Sequence, residues 1–133
     1  AFTLRPDLFN AVVCAVPLLD MKRYNKLLAG ASWMGEYGNP DVPEEWAYIK
    51  TYSPYHNLDE NLDYPKVFFT TSTRDDRVHP GHARKMAAKM ESMDKDYFYY
   101  ENIEGGHGGA SNNNQSAYLR ALTFAYFWHQ LAR

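Results

Sequence analysis

The sequence is poor in several features that mark particular functional classes. It has one cysteine, Cys14, in 133 residues, so no internal disulfide can form. That cysteine lies inside the apolar run "AVVCAVPLL" and reads as a buried small hydrophobe. A reducing compartment is compatible with this; the cytoplasm is the expectation and the periplasm the alternative. No apolar run approaches the ~20 residues of a membrane-spanning helix, and no leader pattern is visible. The chain opens on Ala1 without Met, as a processed or cut piece would. There is no basic block: 14 Lys and Arg face 16 Asp and Glu, for a net charge of −2. That balance argues against a nucleic-acid groove or a membrane-binding stripe. Repeats, low-complexity tracts and internal domain boundaries are also lacking. Neither a nucleic-acid nor a membrane partner is expected, and no cofactor.

What is present is an ordinary globular composition. Apolar residues make up 45% and charged residues 23%, which favours a folded domain over disorder, and the length suits one core. "AVVCAVPLL", 11 to 19, reads as a strand covered on both faces. Asp20 is placed to cap a helix running to Gly30. "DVPE", 41 to 44, has Asp41 at an N-cap, an early proline and a glutamate, and opens a short helix through "EEWAYIK". "TYSPYHNLDENLDYP" is turn-rich loop. "KVFFTTS", 66 to 72, is a second strand, "PGHARKMAAKMES" a helix, and "YFYYENI", 97 to 103, a third strand. A glycine-rich loop follows, and "SAYLRALTFAYFWHQLAR" forms a long final helix with a broad apolar face. Strands separated by helical stretches predict right-handed crossovers and a parallel sheet. Three such strands would leave an apolar edge unpaired, so the chain belongs in a larger sheet or associates.

Two stretches carry candidate chemistry. "TSTRDDRVHPGH", 71 to 82, follows the second strand, and "IEGGHGG", 103 to 109, follows the third. In open α/β sheets catalytic groups gather beyond the carboxyl ends of strands. Asp75 and His107 therefore converge on one sheet edge, as an acid–base pair requires. The glycines let an imidazole protrude from a tight loop; the plainer alternative is a flexible loop with an incidental histidine. A nucleophile is harder to place. The hydrolase elbow Gly-x-Ser-x-Gly is approached at Ser32 in "GASWM", but Met34 replaces the second glycine. Ser111 comes after His107, and Cys14 is mid-strand. A metal site built from His79, His82, Asp75 and Asp76 is the rival, weakened by Pro80 and Gly81 between the histidines. His56 and His129 look incidental.

Taken together, "RPDLFNAVV", "LLDMKRYNKLLAGASWMGEYGNP", "YSPYHNL", "YPKVFFTTSTRDDRVHPGHARKMAAKM" and "EGGHGG" resemble, in order, the C-terminal part of the peptidase domain of the prolyl oligopeptidase family. The resemblance implies an α/β-hydrolase fold with a Ser, Asp and His triad and no metal. It implies that Asp75 is the triad aspartate and His107 the triad histidine. By the same resemblance Arg77 hydrogen-bonds the substrate backbone, Trp33 stacks on a substrate proline ring, and Tyr37 and Val78 wall that pocket. A flat indole suits a proline ring and a guanidinium fork suits a carbonyl. The plainer alternatives are core packing for Trp33 and Tyr37, and an ion pair with Asp75 or Asp76 for Arg77. Asp76 itself is read as structural.

The family's serine elbow belongs upstream of "RPDLF" and is not in this sequence. The expectation is therefore residues 1–133 as a partial α/β-hydrolase domain lacking the nucleophile elbow, with about three parallel strands and flanking helices. The parent would be a serine-type oligopeptidase cleaving short peptides after proline, and the isolated chain would be inactive. The alternatives are a non-catalytic association module, forming a homo-oligomer or joining the missing N-terminal portion through its open sheet edge, and a fragment of an esterase.

Overall fold

The computed structural model describes residues 1–132. Three parallel strands, β1 (Val13–Ala15), β2 (Val67–Ser72) and β3 (Tyr97–Asn102), lie in the order β1-β2-β3. Val13 pairs with Phe68 and Ala15 with Thr70; Val67 pairs with Tyr97 and Ser72 with Asn102. Each crossover carries helical structure: α1 (Met34–Tyr37) and α2 (Pro43–Ile49) between β1 and β2, and α3 (Gly81–Ser92) between β2 and β3; α4 (Asn113–Leu131) follows. Central β2 is buried along its whole length, as an apolar strand flanked on both sides and covered by helices must be. No described helix is long and apolar enough to cross a membrane.

The core forms where α3 meets the sheet. Its buried apolar residues, Ala83, Met86, Ala87 and Met90, recur at helical spacing, and Met86 and Met90 pack with Phe2, Leu19, Leu58, Val67 and Phe69. The helix ends in a Schellman arrangement. Asp94 takes the left-handed position at φ 59°, and Lys95 N–H donates to Met90 O at 2.9 Å while Asp94 N–H donates to Glu91 O at 3.0 Å.

Four local expectations are corrected. The first strand is shorter than the 11–19 run, because Val16 turns to φ 40°, rare for a β-branched residue, and Pro17 offers no ladder donor. Asp20 accepts from Lys22 N–H at 3.1 Å as a cap would. The chain then continues as 3-10 turns at Tyr24–Lys26 and Leu28–Trp33 rather than one helix, since Leu28 enters the left-handed region at φ 49°. Asp41 does not cap α2; Val42 holds that position without a side-chain bond, and the Asp41 carboxylate goes to Lys26 and Asn25. The final helix begins earlier, at Asn113, with Asn112 capping it by accepting from Gln115 N–H at 3.0 Å. Its apolar face is largely uncovered. Only Tyr126 is buried, bolting the strand starts together by donating to Lys66 O and accepting from Val12 N–H, each at 2.7 Å. Phe124, Trp128 and Leu131 remain exposed, because the apolar residues run round most of the helix and the sheet touches one side of it.

Candidate active site

The register of β2 against β3 sets the site. Ser72 and Asn102 are the last paired residues of the two strands, so the chain leaves both at one edge. There the Asp75 carboxylate meets the His107 ring: Nδ1 lies 3.0 Å from Oδ2 and 3.1 Å from Oδ1. Oδ1 also accepts from the backbone N–H groups of Arg77 and Val78, both at 2.9 Å. These three contacts orient a side chain that is itself fully buried. A carboxylate only accepts, so the neutral His107 ring carries its proton on Nδ1 and its lone pair on Nε2. The His107 side chain is 34% exposed, and no described residue bonds to Nε2. The pair is thus a buried acid holding an imidazole whose free nitrogen is open to a proton donor.

Two glycines shape the histidine loop. Gly109 adopts φ 81°, which an L side chain resists. A Cβ on Gly105 would lie 2.8 Å from Gly109 O, so the loop closes on itself there. The glycines flanking His107 directly, Gly106 and Gly108, lack that need; positive φ is confined to the loop's exit.

The substrate residues implied by the resemblance divide into two groups. Arg77 and Val78 sit in the aspartate loop, Arg77 exposed and Val78 buried. Among the described residues Arg77 makes no ion pair, and neither Asp75 nor Asp76 receives a guanidinium. Trp33 and Tyr37 are half-buried against a separate cluster of Met21, Tyr24 and Ile49, where Tyr37 meets Tyr24 edge to face. Among the described residues neither makes a hydrogen bond or an aromatic pair with His107; a backbone bond, Ala29 N–H to Arg77 O at 3.3 Å, ties the two regions. Part of each aromatic therefore packs on core and part faces solvent.

The weaker nucleophile candidates are engaged elsewhere. Ser32 Oγ donates to Ala29 O at 2.6 Å. Ser111 bonds to Gln115. Burial pushes the Cys14 thiol up to about 11, far from a thiolate. His79 Nδ1 accepts from Gly81 N–H at 2.9 Å, and buried His82 accepts from Asp20 N–H at 3.1 Å, so the two rings serve different backbone groups. Among the described residues no three His, Cys, Asp or Glu side chains gather as a metal site would need.

His56, read as incidental, belongs to a second polar cluster. Its Nδ1 lies 2.8 Å from Ser53 Oγ, and its Nε2 lies 4.0 Å from buried Asp20. The order Ser, His, Asp imitates a triad, but Ser53 is fully buried and its oxygen already accepts from Met21 N–H. Burial alone would raise the Asp20 carboxyl; Lys85, with His56 and Arg23, outweighs it and holds the group below its usual range. This cluster is a structural clamp beneath α3. Burial also drives the His82 imidazole from an ordinary 6.5 down to about 4, against the pull of Asp20. A depressed folded value means that the unfolded chain binds the proton first as pH falls. Stability is then full above pH 6.5 and is lost on descending to about 4, by at most roughly 3 kcal/mol. Thermal unfolding against pH should show this loss, and His82→Asn, which keeps an acceptor for Asp20 N–H, should flatten it. An unchanged profile in that variant would assign the acid sensitivity elsewhere.

A third network, missed in the sequence, braces the site. Glu101 Oε1 accepts from Thr73 Oγ1 at 2.6 Å, and Oε2 accepts from Tyr99 OH at 2.7 Å and Arg84 Nε at 3.1 Å. Arg84 above all, with Thr73 and Tyr99, overcomes burial and holds the Glu101 carboxyl down at about 2. A glutamate inside a strand, where it is disfavoured, was the available signal.

A family model described as the prolyl oligopeptidase family matches residues 1–133. An uncharacterised peptidase of Sinorhizobium fredii is 54% identical over 127 residues, covering 96% of this chain and 18% of that protein. The prolyl endopeptidase of Elizabethkingia miricola is 37% identical over 131 residues, covering 94% and 19%. The solved structure of a post-proline cleaving enzyme from Rickettsia typhi superposes with a TM-score of 0.93 at 38% identity, covering 99% and 19%. The chain thus spans about a fifth of the length of these relatives, and its sheet and helices are part of an α/β-hydrolase domain. This chain belongs to the prolyl oligopeptidase family.

Proposed function

We propose that the chain supplies the acid and base of a serine peptidase that cleaves short peptides after proline, the serine coming from polypeptide outside these residues. The Asp75–His107 contact at 3.0 Å, with Nε2 free, carries the proposal. As the serine oxygen attacks the scissile carbonyl, Nε2 takes its proton. The imidazolium is held against the Asp75 carboxylate, and the same proton then passes to the leaving amine. In the second half Nε2 takes a proton from water and returns it to the serine. Exposed Arg77, with no acidic partner, is available to donate to a substrate carbonyl. Trp33, Tyr37 and Val78 form the proline slot. The isolated chain, having no attacking oxygen, does not hydrolyse peptides. The exposed apolar residues of α4 and the free side of β1 are the surfaces through which it would join the rest of such a domain. Two relatives, named for prolyl endopeptidase and post-proline cleaving activity, point to the substrate class.

The test is a chimera in which this chain replaces the matching segment of the Elizabethkingia miricola prolyl endopeptidase. The chimera should react with a fluorophosphonate and cleave after proline, whereas the chain alone should do neither. Trp33→Ala should lower kcat/KM for a proline substrate by about 10–100-fold, the loss expected when an apolar slot is emptied. Unchanged proline preference in that variant would remove Trp33 from the pocket, and an esterase that ignores peptides would replace the peptidase assignment.

A further inference from the structure

One buried residue joins the two loops that carry Asp75 and His107. Asn102 is the last residue of β3 and is 5% exposed. Its side chain uses its full hydrogen-bonding capacity on the histidine loop and on the start of α4. Nδ2 donates to Gly109 O at 2.9 Å and to Gln115 Oε1 at 2.8 Å. Oδ1 accepts from Glu104 N–H at 2.9 Å and Gly105 N–H at 3.1 Å. Two donors and two acceptor sites are thereby filled, which fixes the amide's orientation. The backbone carbonyl of the same residue accepts from Thr73 N–H at 2.9 Å, at the start of the aspartate loop. Gln115 extends the clamp: its Oε1 also accepts from Ser111 N–H and Ser111 Oγ, each at 2.8 Å, and its Nε2 donates to Glu104.

The histidine loop is therefore gripped before and after His107 by one side chain, while its main chain holds the other loop. We infer that Asn102, supported by Gln115, is a positioning residue that sets the His107 ring on the Asp75 carboxylate. The inference rests on the peptidase role given above. Asn102 does not touch the reacting atoms. Its effect is to keep the imidazole in the Nδ1–H tautomer and aimed outward, because a loop free to shift by an ångström loses that contact.

The decisive variant is Asn102→Asp, which keeps the shape and both acceptor contacts but turns an oxygen toward Gly109 O and Gln115 Oε1. In the 133-residue chain, long-range proton–nitrogen correlations of the His107 ring report its tautomer when the ring is neutral. The wild type should be dominated by Nδ1–H and Asn102→Asp should give a mixture. In the chimera the same variant should lower kcat by about 100-fold with KM within about 2-fold, since the ring is displaced and the substrate walls are not. Gln115→Ala takes one acceptor from Asn102 Nδ2, along with the bonds to Ser111 and Glu104, at a half-exposed site where alanine suits the helix, and should lower kcat by about 5–10-fold. Should Asn102→Asp unfold, seen as loss of amide protection in β2, Gln115→Ala decides. An unchanged tautomer ratio together with unchanged kcat in the folded variants overturns the inference. If instead His107→Ala leaves the chimera fully active, the peptidase role fails, and the tautomer result still decides whether Asn102 positions the ring.

Discussion

Replacing His107 by alanine in the chimera should reduce kcat for peptide hydrolysis by about 10⁶-fold and remove fluorophosphonate labelling. The size follows from the chemistry. An unassisted serine hydroxyl at neutral pH is a poor nucleophile, and the leaving amine needs a proton, which in this mechanism comes from His107 Nε2. Loss of a general base in a serine hydrolase costs about as much as loss of the whole triad, the remainder coming from binding and oxyanion contacts. Stability should barely change. The ring is one-third exposed, its loop is held on both flanks by Asn102, and alanine leaves those bonds intact. Thermal unfolding run beside the assays separates the two effects. A variant that folds and still hydrolyses within tenfold of the parent would sink the assignment of His107 as base.

The parts of this outcome legible in the sequence are those with a local cause. "KVFFTTS" and "YFYYENI" are dense in β-branched and aromatic residues, and both form strands within a residue of their expected ends. "PGHARKMAAKMES" places its methionines and alanines at helical spacing, and they are the face that packs on the sheet. From two strand ends on one edge, the meeting of Asp75 and His107 follows from topology alone.

What stayed hidden depends on distant partners. The carboxylate of Asp41 has an N-cap's sequence context, yet the cap falls one residue later, at Val42, and Lys26 and Asn25 take the carboxylate. Leu28 and Val16 enter left-handed backbone, which no propensity anticipates for such residues. Asn102 reads as the polar end of a strand, and its role emerges only when the loop folds back so that Gly109 and Gln115, seven and thirteen residues on, close round it. His56 looked idle because buried Asp20, which its Nε2 approaches, lies far back along the chain, and Ser53 in its own turn gives no signal alone. The same limit applies to Trp33. It sits in a recognisable motif, but its half-buried setting beside Met21 and Tyr24 is equally good packing, and only a substrate preference separates the two uses.

Asp75→Asn should lower kcat by about 10⁴-fold while leaving the fold in place, and the hydrogen bonds show why so small a change has so large an effect. Both backbone donors, Arg77 N–H and Val78 N–H, converge on Oδ1. An asparagine keeps its carbonyl oxygen there, which puts its NH2 group where Oδ2 now faces His107 Nδ1 at 3.0 Å. An NH2 donor demands an acceptor, so Nδ1 must give up its proton and Nε2 must carry one. The outward nitrogen can then no longer receive the serine proton, and the carboxylate that balanced the imidazolium is gone. KM should stay within a few-fold, because Arg77 and Val78 retain their backbone anchors, and thermal unfolding should match the parent to within a few degrees. The ring-nitrogen correlations should show His107 switched to the Nε2–H tautomer. Asp75→Ala is the contrasting variant. It removes both anchors, so it should disturb the loop and raise KM as well. If the two variants behave alike in KM and stability, Asp75 acts as a loop brace and its orienting role is refuted.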